Sequence, residues 1–215
     1  MKKTLLFAVA LFITLLLTSK LNAQEAEKLL NGQDLSNWNF VLEDTSLNAE
    51  DVFSIRNGLI HIRGELGYMY TKKKYDNFHL HAEWSWPDAV ESNSGIFLLI
   101  EDPKNPFPNG IECQLHAGDA GDFVLLGGSN LAEFKLAKGE KRPAFPVVKK
   151  AKPSNEKKAG EWNYADIYCR NGVIMVYING EYQNKGTNKV KSGHVGLQSE
   201  GKDIQFKNVT LVPLL

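Results

Sequence analysis

Glu112, Gln114 and His116 are spaced two residues apart. On an extended strand this spacing puts all three side chains on one face, about 6.8 Å from one to the next. A carboxylate, an amide and an imidazole in a row can hydrogen-bond hydroxyl groups or move protons. The residues between and beside them, Ile111, Cys113 and Leu115, are apolar, so the row is the polar side of a core strand. His79, His81 and Glu83 form a second such row, alternating with Phe78, Leu80, Ala82 and Trp84. If both strands lie in one sheet, the two rows face a common groove. Three His and two Glu drawn from two strands could also hold a divalent metal, although strand spacing suits hydrogen bonding better. No required cofactor is indicated.

Two further polar positions accompany small residues. Asn93 stands just before Gly95 and the apolar run 96–100, and Gly95 permits close approach of a backbone or a ligand. Gln198 is on the open face of a strand in which Val195 and Leu197 point inward, with Gly196 leaving space beside it. Trp38, Trp84, Trp86 and Trp162 could stack on sugar rings, but most tryptophans in such a chain belong to the core. The sequence contains no Gly-x-Ser-x-Gly elbow, phosphate loop or dinucleotide fingerprint. The acidic turn 118–122 lacks the periodic ligands of a strong calcium loop.

These side chains need strands to position them, and the dominant period along the chain is two. Alternation of this kind predicts half-buried strands. Asn57-Gly58, Asn171-Gly172 and Asn179-Gly180 separate apolar runs and predict tight hairpins. The last strand, over 204–211, carries a phase slip near Asn208. Helical periodicity is nearly absent, with a turn of helix expected only over 26–30. The fold class is therefore all-β, an antiparallel β-sandwich of jelly-roll type. Two irregular stretches interrupt it, 102–110 and 136–160, both rich in proline. The second is too long for an idle connection and is expected to be a binding wall, a lid or a surface excursion.

Lys2 and Lys3 precede an apolar run of about 13 residues, 5–17, and small Ala23 stands before Gln24. That is the pattern of a signal peptide over 1–23, since a spanning helix needs roughly 20 apolar residues. The rest, 24–215, is expected to be one domain, periplasmic or secreted, with no membrane span. Basic and acidic residues balance at 25 each, and no basic stripe interleaved with aromatics suggests nucleic acid. The lysines at 149, 150, 152, 157 and 158 are expected to form a solvated loop. Cys113 and Cys169 both alternate with apolar residues and face the core, as free thiols or as a bridge. Nothing in the sequence specifies an oligomer.

Several segments occur in an order that resembles a known family. They are 30–38 (LNGQDLSNW), 93–96 (NSGI), 110–115 (GIECQL), 160–163 (GEWN), 179–180 (NG), 196–198 (GLQ) and 206–209 (FKNV). Together they resemble the 3-keto-disaccharide hydrolase family of the Bacteroidetes type, once a domain of unknown function. The resemblance implies a concanavalin A-like fold, as in lectins and glucanases, and a glycoside substrate oxidised at carbon 3. The matching site positions are Asn93, Glu112, Gln114 and Gln198. The sequence departs from the family pattern at Ala117, where an Asp is common, and at Lys207, where an Arg is common.

Sandwich-fold glucanases carry further acids on the catalytic strand, whereas 112–117 here reads Glu-Cys-Gln-Leu-His-Ala. A retaining glycosidase needs two carboxyls about 5 Å apart. The expectation is therefore a different chemistry, in which a base removes the carbon-2 proton made acidic by the ketone and the carbon-1 substituent is expelled. Glu112 or His116 would be the base. Gln114, Gln198, Asn93 or a metal would polarise the ketone, with His81 and Glu83 completing the groove. The other reading is a non-catalytic carbohydrate-binding module on the same fold.

Overall fold

The alternation becomes fifteen strands and one short helix in the computed structural model, which describes residues 25–215. In chain order the first elements are β1 (Glu27–Lys28), β2 (Trp38–Leu42), α1 (Ala49–Val52), β3 (Phe53–Arg56), β4 (Leu59–Ile62) and β5 (Gly67–Thr71). Then come β6 (Phe78–Ser85), β7 (Gly95–Ile100), β8 (Gly110–Gln114), β9 (Phe123–Leu126) and β10 (Val147–Val148). The last are β11 (Asn163–Arg170), β12 (Val173–Ile178), β13 (Glu181–Thr187), β14 (His194–Ser199) and β15 (Ile204–Pro213). The expected signal peptide lies outside the described residues. No helix among the described residues is long and apolar enough to cross a membrane.

All pairings between named strands are antiparallel. The first sheet runs β13-β12-β11-β6-β15-β4-β3, with β1 added beside β15. The second runs β10-β9-β8-β7-β14-β5-β2. Phe78, Leu80, Ala82, Trp84 and Ile167 from the first sheet meet Ile96, Ile111, Cys113 and Leu197 from the second in one buried cluster. This is the expected sandwich.

The turn chemistry explains the hairpins. Asn57, Asn171 and Asn179 have φ of 53°, 52° and 48°, and the glycines after them 75°, 80° and 80°. Both central residues of a type I′ turn need that region, which Asn tolerates and Gly prefers. The phase slip on β15 is also real: Asn208 has φ 50° and the pairing with β6 shifts between Lys207 and Thr210. Cys113 and Cys169 are buried free thiols.

Residues 26–30 correct the sequence expectation. They form no helix; Glu27 and Lys28 pair with Leu211 and Thr210 instead. Leu29 is buried and its carbonyl accepts from Trp38 Nε1 at 3.0 Å. A run this short cannot sustain a helix against a free sheet edge.

The second sheet is covered on both faces. Its outer side carries a smaller apolar cluster of Tyr68, Phe97, Ile100, Val124 and Leu126, with Val41, Tyr70 and Phe107 against it. The stretch 136–160 folds back here. Val147 and Val148 pair with β9, and Leu125 N–H donates to the Pro146 carbonyl at 2.9 Å. Asp122, almost fully buried, accepts from Lys149 Nζ at 2.7 Å and from the Lys150 backbone N–H at 2.8 Å. The lysine loop is thus not simply solvated. Lys149 and Lys150 fasten the stretch to the sheet as a wall.

Candidate active site

Glu112 lies on the outer face of β8, directly opposite Phe97 on β7 and Val124 on β9. Gly95 gives its carboxyl a seat. A methyl group at that position would stand 2.7 Å from Glu112 Cγ and 2.8 Å from Cδ. The space expected to admit a backbone or a ligand is therefore filled by the carboxyl itself. Glu112 is 3% exposed, and its Oε1 has no hydrogen-bond partner among the described residues. Burial pushes its pKa up to about 8, with the charge of Glu200 adding to the rise.

Glu200 is the site residue that sequence reasoning missed. It stands one residue beyond β14 and lines the same pocket as Glu112, Asn93, Gln114 and Gln198. Gln198 Nε2 donates to Glu200 Oε2 at 2.6 Å. Burial pushes Glu200 up as well, while Gln198, Asn93 and the nearby His116 favour its charged form. Glu200, which has donors, ionises first, and two like charges in one cavity resist each other. Glu112, which has none, holds its proton until the pH approaches about 8, and only above that is it free to act as a base. The signal was present: period two puts residue 200 on the same face as Gln198.

The amides are oriented by what they already bind. Gln198 spends its N–H on Glu200, and its Oε1 is buried without a partner, as is Asn93 Oδ1. Gln114 is the reverse. Its Oε1 accepts from the backbone N–H groups of Leu115 at 3.0 Å and His116 at 2.9 Å. That leaves Gln114 Nε2 as a donor beside the pocket it lines. The residues lining the site thus carry three buried oxygens that no protein donor reaches and one free amide donor, groups of the kind that bond hydroxyls and carbonyls.

His116 does not continue the Glu112 row. β8 ends at Gln114, whose side chain caps the next two backbone N–H groups, and the chain turns. The His116 side chain is 52% exposed, with Nδ1 3.4 Å from Asp119 Oδ2. It stands near enough to Glu200 to act on its charge, but it is not a wall of the pocket.

His79, His81 and Glu83 are not brought to the site. β6 belongs to the first sheet, so this row faces outward on the opposite side of the sandwich. His79 Nε2 and His81 Nδ1 both bond Asp166 Oδ1, at 2.8 and 2.9 Å, and Lys207 Nζ stands 3.3 Å from Glu83. The expected common groove therefore does not exist, and His81 and Glu83 cannot touch a ligand held by Glu112. The metal set that needed both rows fails with it. Among the described residues, no group of three or more His, Cys, Asp or Glu is placed to hold a metal ion.

Tryptophan does not line the pocket either. Trp38, Trp84 and Trp86 are buried, and the Trp162 ring is covered by Lys207 Nζ at 4.1 Å. The aromatic walls come from the two irregular stretches. Phe107 and Phe145 meet with ring centroids 4.9 Å apart and planes at 60°. With Val124, Leu126 and Val147 they close the pocket, whose volume is about 260 Å³.

Comparison with known proteins follows the same lines. Residues 25–212 match the sequence profile of the 3-keto-alpha-glucoside-1,2-lyase-like domain family. A 3-keto-disaccharide hydrolase of Bacteroides thetaiotaomicron is 24% identical over 181 residues, 68% of this chain and 61% of that protein. The chain thus spans about three fifths of the length of this curated relative. A Parabacteroides distasonis protein provisionally assigned as a glycosyl hydrolase superposes with a TM-score of 0.63 at 19% identity, covering 88% of this chain and 94% of the other. A β-glucanase of Bacillus licheniformis gives a TM-score of 0.57 at 9% identity, covering 91% and 100%. These two likenesses show the shared jelly-roll fold.

Proposed function

The chain belongs to the family of 3-keto-alpha-glucoside-1,2-lyase-like domains, and on that premise we propose that it cleaves glycosides already oxidised to a ketone at carbon 3. The observation that carries the reading is Glu112, a buried carboxyl without a partner, pushed up to about 8 in a pocket of oriented amides. A base whose pKa lies near the working pH is best suited to removing a weakly acidic C–H proton.

The ionised Glu112 takes the carbon-2 proton. The electron pair released passes to the ketone oxygen, where Gln114 Nε2 donates a hydrogen bond to the developing charge. The enolate then collapses. A double bond forms between carbons 1 and 2, the bond from carbon 1 to the leaving oxygen breaks, and Glu112 returns its proton to that oxygen. The products are an unsaturated ketone and the free alcohol. Addition of water across the new double bond gives the free 3-keto sugar, so the same site serves a lyase or a hydrolase outcome. Gln198 Oε1 and Asn93 Oδ1 accept from sugar hydroxyls, which supplies the donors they lack. Lys2, Lys3 and the apolar run after them support export of the chain to the periplasm or beyond.

The test is incubation with a 3-keto glucoside and, in parallel, the unoxidised glucoside. Release of alcohol from the first alone, abolished by Glu112→Gln, is the expected result. Equal turnover of the unoxidised compound would refute carbon-2 chemistry, because direct displacement at carbon 1 needs no ketone. Binding without consumption of either would return the chain to the binding-module reading.

A further inference from the structure

The pocket is divided by chemistry. Asn93, Glu112, Gln114, Gln198 and Glu200 form one end, while Phe107, Val124, Leu126, Phe145 and Val147 form the other. None of the second five has a polar side-chain atom. Phe145 and Val147 are also 45% and 37% exposed, and they stand on the same wall as Phe107, Val124 and Leu126, so the exposed apolar surface is contiguous. Their exposure is not the result of a loose loop. Val147 is held by pairing with Val124, the Pro146 carbonyl accepts from Leu125 N–H, and Asp122 secures residues 149 and 150. The apolar end is therefore a built wall that a ligand would cover.

We propose that the group leaving carbon 1 is an apolar, ring-shaped aglycone of the aryl type, seated against Phe107 and Phe145. The inference rests on the reading of the polar end as the seat of the 3-keto sugar. A second sugar at this end would set its hydroxyl groups against side chains that offer them no hydrogen bond, whereas an apolar ring would cover matching apolar surface. The sugar would also lack a flat platform, because the two rings are tilted 60° to each other. That tilt opens a V-shaped cleft in which a third aromatic ring can make edge-to-face and offset contacts together. At about 260 Å³ the pocket is just below the usual range for drug-sized ligands, so the enclosed volume suits a single sugar ring with its substituent lying on the open wall.

Leaving-group chemistry alone would favour an aryl substrate, so the experiment separates binding from turnover. Unoxidised phenyl glucosides of both anomers, methyl glucosides and glucose disaccharides are titrated calorimetrically against the full chain and against Phe145→Ala. Phe145 is half-exposed, so its removal leaves the fold intact. The expected result is that one phenyl glucoside binds at least about tenfold more tightly than the methyl glucoside or any disaccharide. Phe145→Ala should erase most of that advantage and weaken methyl glucoside and disaccharide binding by a much smaller factor. A disaccharide that binds as well as the phenyl glucoside, or an equal effect of Phe145→Ala on all ligands, overturns the proposal. If the phenyl preference holds and depends on Phe145 while no 3-keto glycoside is consumed, the aryl seat stands and the catalytic reading falls.

Discussion

Replacing Glu200 by Gln removes a charge beside Glu112 while keeping the size and hydrogen-bonding capacity of the side chain. The carboxyl of Glu112 rises from an ordinary 4.5 to about 8, with burial the larger cause and Glu200 the smaller. Removing the smaller cause takes back less than half of that rise, so the midpoint falls by less than about 1.7 pH units, or about 2.3 kcal/mol of proton affinity. The alkaline-rising limb of kcat/KM on a 3-keto glucoside reports this midpoint in the free enzyme. Carbon-13 NMR of the labelled Glu carboxyls reports it without turnover. Glu200→Gln should move both midpoints from about 8 toward lower pH by the same amount, with the maximal rate retained in part. A midpoint that stays at about 8 would show that the two carboxyls do not sense each other. A fall of more than half the rise would show that burial is not the main cause, and the account of Glu112 as a desolvated base would fail.

Glu112→Gln should cost at least about 10²-fold in turnover, and it should stabilise the protein. Folded Glu112 holds its proton more tightly than the unfolded chain does, so wild-type stability falls as pH rises from 4.5 through about 8. The variant escapes that loss, and thermal unfolding should show a gap in its favour that opens with pH, at most about 5 kcal/mol. A gap that closes with rising pH would contradict the sign. Gly95→Ala drives a methyl group into the Glu112 carboxyl, and should lower kcat by about 10²-fold while costing about 1–3 kcal/mol in denaturant unfolding. Wild-type activity in that variant would mean that the seat is not needed. Asp122→Ala leaves Lys149 and the Lys150 N–H without their acceptor, and should cost about 1–3 kcal/mol. It should also raise KM more than it lowers kcat, because it loosens the wall and not the base. An unchanged KM would detach residues 149–150 from the pocket.

What could be read in advance was local. Asn-Gly pairs specify a turn from two residues, and alternation specifies which side chains share a face, so the hairpins and the Glu112–Gln114 row were legible. The slip at Asn208 was legible for the same reason, as one positive φ displaces the phase. Which sheet a strand joins is a long-range matter. Both β6 and β8 read as polar-faced strands, yet β6 pairs with β11 and β15 and so carries His81 and Glu83 to the opposite side. His116 was misplaced because Gln114 caps its own successors, an interaction that alternation does not encode. Glu200 sat beyond the end of an obvious strand, and its value appears only when β14 brings it beside Glu112. The apolar wall was legible as an unexplained length of chain, but its content, Phe145 and Val147 aimed at the site, depended on where β10 docks.

The docking of β10 has a consequence beyond the pocket. Without it, β9 would be the last strand of the second sheet, with a row of unpaired N–H and carbonyl groups and apolar side chains on both faces. Such an edge is a template for another chain to join. Val147, Val148 and the Pro146 carbonyl occupy it, and proline offers no donor with which to extend the ladder. The segment that shapes the cavity therefore also covers a sheet edge. Selection for a more open cavity by shortening 136–160 would be opposed by self-association of the uncovered edge, which ties substrate range to solubility in a single stretch of chain.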